Sequence, residues 1–114
     1  MKKFLLALFL INSLSAIHAQ EATLEYGFKN PPNEAKARTW WHWISGNVSK
    51  KGITADLEAM KEVGIQEAQL FNVHLEFPKG SVEYLSEEWL DLFHFAAQEA
   101  KRLGLELAFH NSAG

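Results

Sequence analysis

From Arg38 onward the chain switches between two hydrophobic spacings. Residues 38–44 (RTWWHWI) are dense in aromatic and β-branched side chains and end at Ser45-Gly46-Asn47, which predicts a first strand. Ile53, Leu57 and Met60 then recur four and three apart, with Asp56, Glu58, Lys61 and Glu62 on other faces. That spacing predicts a helix capped by Ser49 and running to about Val63, with Gly64 placed for a left-handed end. Residues 65–73 read as a second strand, and 74–85, with Pro78 and Gly80, as a loop. Ser86 is placed to cap a second helix, with Glu87, Glu88 and Asp91 at the positive end of its dipole. Its apolar stripe is Trp89, Leu92, Phe93, Ala96, Ala100 and Leu103; Lys101 and Arg102 fall in its last turn. Gly104 ends it, and residues 105–109 predict a third strand.

The order is β-α-β-α-β, with helix, glycine and strand repeated in the same phase at Val63-Gly64-Ile65 and Leu103-Gly104-Leu105. Such alternation implies parallel strands joined by right-handed crossovers. A doubly wound sheet and a barrel both fit. The first calls for a phosphate loop after strand one, and Ser45-Gly46-Asn47-Val48-Ser49 has a single glycine. The expected fold class is therefore α/β, the opening segment of a (β/α)8 TIM-type barrel. A whole barrel takes about 250 residues, so residues 38–114 are expected to be an incomplete, truncated part of one.

Ahead of the first strand, residues 20–37 are polar and contain Pro31-Pro32, which predicts an extended lead-in. Residues 1–19 have the plan of a secretory signal peptide: Lys2 and Lys3, an apolar run from Phe4 to Ile11, and small Ala19 before Gln20. The run is short for a membrane span; an uncleaved N-terminal anchor is the alternative. The expectation is an exported chain, periplasmic or extracellular, with no stable membrane span after cleavage. Loss of Lys2 and Lys3 leaves nine basic against 14 acidic residues, a net charge near −5. That balance, without a basic stripe, argues against nucleic acid as a partner. The absence of cysteine excludes disulfides, thiolate chemistry and lipid attachment at a lipobox.

In a β/α-barrel, chemistry gathers at the carboxyl ends of the strands. His42 and Trp43 lie there on the first strand, Asn72 and His74 on the second, and His110 and Asn111 on the third. These six are the candidate substrate-binding residues. Neutral imidazole both donates and accepts, and an amide can bridge adjacent hydroxyls; both suit a sugar. Alternation puts Trp41 and Trp43 on one side of the strand and Trp40 with His42 on the other. One side must pack against helices; Trp43, nearest the carboxyl end, is the indole best placed for a ligand. Structural histidines and strand-end turn chemistry at the asparagines are the competing readings. Glycoside hydrolysis needs two carboxyls flanking the bond. Glu76 and Glu83 lie on the loop at the correct end, Glu67 and Glu106 near strand starts at the wrong one, and no pair stands out. No His-Glu-x-x-His or similar spacing marks a metal centre.

Trp40-Trp41-His42-Trp43 with Gly46, the run GITADLEAMKEVGI (52–65), and GLELAFHNSAG (104–114) together resemble glycoside hydrolase family 106, the bacterial α-L-rhamnosidases. The likeness runs from about Phe28 to the end of the chain and covers the N-terminal part of the family's catalytic barrel. It implies an exported, inverting hydrolase acting on terminal α-L-rhamnosyl groups of plant glycans. It also implies calcium-assisted substrate binding, with calcium ligands outside this segment. The family's two catalytic glutamates fall downstream, so no carboxylate here inherits that role and the 114-residue chain alone is expected to be inactive. Two other readings stand beside this one: a non-catalytic exported glycan-binding module, and a metal-dependent barrel hydrolase using His42, His74 and His110.

Overall fold

The computed structural model describes residues 24–76 and 78–111; the expected signal peptide, residues 1–19, lies outside them. Two compact units divide at Ala35 and Lys36. The described part of the first holds α1 (Leu24–Lys29) and a 3-10 turn (Asn33–Ala35), so the lead-in is not extended throughout. A Glu25–Lys29 pair at 2.7 Å spans one helical turn, and the Asn30 side-chain amide donates to Tyr26 O at 3.2 Å. The prolines stop this helix rather than prevent it, because α1 ends before Pro31.

The second unit follows the predicted order: β1 (Arg38–Ile44), α2 (Lys50–Glu62), β2 (Glu67–Val73), α3 (Glu87–Leu103) and β3 (Glu106–Phe109). The strands form a parallel sheet in the order β1-β2-β3. Both helix starts have their expected caps. Ser49 Oγ accepts from Gly52 N–H and Ser86 Oγ from Trp89 N–H, each at 3.2 Å. Replacing Ser49 with alanine is expected to cost about 1 kcal/mol, read as a lower urea midpoint of the full-length protein. β2 and β3 begin one or two residues later than the apolar pattern implies. Ile65 N–H still bonds back to Met60 O and Leu105 N–H to Ala100 O, so helix ends hold these residues.

One face of the sheet is covered. Trp41 and Trp43 of β1, and Ala68 and Leu70 of β2, share a core with Ile53 and Leu57 of α2 and Trp89, Leu92, Ala96 and Ala100 of α3. Trp89 joins the two layers: its ring centroid lies 5.6 Å from Trp43 and 5.5 Å from Phe93. Trp41 Nε1 donates to Asp56 at 2.9 Å, tying β1 to α2.

The helices are also linked to each other. Thr54 Oγ1 donates to Glu99, and Arg102 donates to both Glu99 and Glu58. The hydrogen bonds from Arg102 and then Thr54 hold the Glu99 carboxyl below its ordinary range. A carboxylate lowered in the folded state adds stability that is full above its unfolded pKa and fades as pH falls through the folded one. A Glu99→Gln variant is therefore expected to lose less stability than the parent on acidification, measured as the change in Tm across the carboxylate range. The effect is small because the partner Arg102 is half exposed and water screens the pair.

Candidate functional site

The other face of the sheet carries charged, polar and aromatic side chains and is not covered by a helix among the described residues. Alternation turns Arg38, Trp40, His42 and Ile44 away from the helices, in register with Glu67, Gln69, Phe71 and Val73. Glu106 and Ala108 continue the first two rows, and His110 follows, its N–H donating to Leu70 O at 2.9 Å. The two ends of this face differ sharply. At the amino end Arg38 pairs with Glu67 at 2.9 Å and approaches Glu106 at 4.0 Å, while Gln69 donates to Glu67 at 2.7 Å. These groups satisfy one another, which explains how the Glu67 carboxylate can be buried.

At the carboxyl end four rings meet. Phe71, on the central strand, lies 5.1 Å from Trp40, 5.8 Å from His42 and 4.8 Å from His110, centroid to centroid. The Phe71 and His110 planes are 8° apart, and Trp40 meets His42 edge-on at 6.0 Å. Trp40 remains 65% exposed on a face that no helix covers among the described residues. An exposed indole could offer apolar surface to the C–H face of a pyranose, and imidazoles could offer hydrogen bonds to its hydroxyls.

The loops beside this end are pinned to each other. Buried Ser45 donates through Oγ to Leu75 O at 3.0 Å and accepts from Leu75 N–H at 3.1 Å. Gly80 N–H donates to Ser45 O at 2.8 Å, and Asn47 Nδ2 donates to Pro78 O at 2.9 Å. The backbones at Gly46 and Gly80 approach so closely that a Cβ at either would press on backbone: on Val82 O from Gly46, on Gly46 O from Gly80. The β1–α2 and β2–α3 loops thus form one clamp at the carboxyl end.

Of the six residues predicted from sequence, His42 and His110 share this face. Trp43 does not. It is 3% exposed and faces Trp89 within the helix-side core, while Trp40 is the exposed indole on the open face. The parity of alternation decides which side a strand residue takes, and Trp43 still lines, with His42 and Asp56, a cavity beside the carboxyl end. Asn72 pairs with Trp43 in register and lines a cleft with Ser45, His74, Lys79 and Tyr84, away from the two imidazoles. His74 is exposed beside that cleft, and Asn111 is exposed beyond β3. Phe71 was missed. Counting by twos from Trp40 and His42 onto the parallel partner strand would have found it.

No three His, Asp or Glu side chains converge on a metal position among the described residues. His42 on β1 and His110 after β3 are separated by the Phe71 ring, so the three-histidine metal site fails on geometry.

Comparison with known proteins places this chain in a glycoside hydrolase family. The family model of glycoside hydrolase 106, alpha-L-rhamnosidase, matches residues 29–114, and the chain belongs to that family. The structure of rhamnosidase from Novosphingobium sp. PP1Y is similar with a TM-score of 0.75 and 49% identity, covering 82% of this chain and 9% of that one. A protein of Formosa agariphila, named as a proposed β-glucuronidase, is 71% identical over 116 residues, covering 98% of this chain and 10% of that protein. The chain spans about a tenth of the length of these relatives.

Proposed function

We propose that this chain is the opening β-α-β-α-β segment of a (β/α)8 barrel in an exported, inverting glycosidase that removes terminal α-L-rhamnose from plant glycans. In a closed barrel the face bearing Trp40, His42, Phe71 and His110 turns inward, with its aromatic end at the carboxyl rim. The observation that carries this reading is the clustering of those four rings at that end. Rhamnose is a 6-deoxy sugar, so its methyl group and C–H face suit the exposed Trp40 surface. The role of the segment is to bind and orient: His42 and His110 hold hydroxyls, and the rings exclude water. The two carboxyls of the inverting reaction, one acid and one base about 6.5–9.5 Å apart, come from outside residues 1–114. Consistent with this, Glu67 and Glu106 are committed to Arg38 at the amino end. The segment alone is then inactive.

The name of the Formosa protein favours a second reading, cleavage of β-glucuronides. A glucuronide carboxylate calls for a cation, and Arg38 on this face is turned to its glutamates at the amino end. Assay of the full-length gene product on p-nitrophenyl α-L-rhamnoside and p-nitrophenyl β-D-glucuronide separates the two. Release from the rhamnoside with inversion is expected; release from the glucuronide alone would overturn the proposal. In the same assay, chelation with EGTA is expected to lower activity, with recovery on adding calcium. The mature exported protein is expected to begin at Gln20, measurable by N-terminal mass spectrometry.

A further inference from the structure

Neither the His42 nor the His110 side chain makes a hydrogen bond among the described residues, yet each ring lies against Phe71. An imidazole donates and accepts in its own plane. The near-parallel stack of His110 on Phe71 covers one ring face of an otherwise exposed residue and fixes the plane in which hydrogen bonds can be made. Phe71 is half-buried on the central strand and also touches Trp40, so its own position is set from both sides.

We propose that Phe71 is a positioning residue for sugar recognition: its ring holds the His110 imidazole, and less directly that of His42, in the plane that meets the substrate hydroxyls. This rests on the assignment of the open face to the sugar. Free rotation of either imidazole would cost orientation that a stacked ring supplies in advance. The role is distinct from apolar filling, since a leucine of similar bulk packs but offers no face to stack on.

The test is a double-mutant cycle on the full-length protein with p-nitrophenyl α-L-rhamnoside, measuring kcat and KM separately. Phe71→Leu is expected to lower kcat/KM about tenfold, mostly through KM, and Phe71→Tyr to stay within about twofold of the parent. In a His110→Ala background, Phe71→Leu is expected to cost less than about twofold, because the ring it positions is gone. Additive losses, or parental kcat/KM in Phe71→Leu, overturn the proposal. Phe71→Met, also without a ring face, is run in parallel. Failure of both variants to fold assigns Phe71 to the core and equally overturns it. If His110→Ala itself leaves kcat/KM unchanged, the sugar-face assignment fails instead.

Discussion

Replacing Gly80 with alanine is expected to unpin the loops at the carboxyl end and to abolish most activity of the full-length protein. The new Cβ would press on the Gly46 carbonyl, and Asn47 N would lie 2.7 Å away; these are backbone atoms that no side-chain rotation can clear. Relief requires the two loops to separate. That breaks the Gly80 N–H bond to Ser45 O and loosens the Ser45–Leu75 and Asn47–Pro78 contacts. Two to three hydrogen bonds lost at about 1 kcal/mol each give a destabilisation of about 2–3 kcal/mol. Because these loops form the rim beside His42, kcat/KM is expected to fall about a hundredfold even at temperatures where the protein remains folded. Limited proteolysis between residues 74 and 85 reports the loosening directly, and activity at low temperature separates it from global unfolding. A parental cleavage pattern in Gly80→Ala would show that the clamp is dispensable.

The second large effect contrasts adjacent faces of one strand. Trp43→Ala is expected to cost about 3–5 kcal/mol, since it empties a 3% exposed position between the sheet and Trp89. Trp40→Ala removes an indole that is 65% exposed and is expected to change Tm little. Its cost falls on the sugar instead, as an increase in KM of about tenfold for losing one aromatic platform. Denaturation midpoints and KM, measured on both variants, form a crossed pattern. The reverse pattern would mean that the helix-covered and ligand-facing sides have been interchanged.

This contrast also marks how far the sequence could be read. The β1 boundaries and both helix starts were legible because each rests on local chemistry: β-branched and aromatic density closed by Ser45-Gly46, and the caps Ser49 and Ser86. The parallel order followed from strands alternating with helices. What stayed hidden depended on partners far along the chain. Trp40-Trp41-His42-Trp43 gives two equally aromatic sides, and only the packing of Trp89 and Asp56 on the Trp41/Trp43 side decides between them. Phe71 has no local mark; its importance comes from the register that sets it between His42 and His110. The helix α1 was masked by the prolines behind it, whose influence on the preceding residue was extended too far upstream. Gly46 and Gly80 read as ordinary loop glycines until their backbones were seen to touch.

The most direct measurement is a crystal structure of the full-length gene product soaked with L-rhamnose. The sugar is predicted to lie with its C–H face within about 4 Å of the Trp40 ring and its hydroxyls bonded to His42 or His110. A sugar bound elsewhere, with the Trp40–Phe71–His110 face packed against protein, would contradict the account.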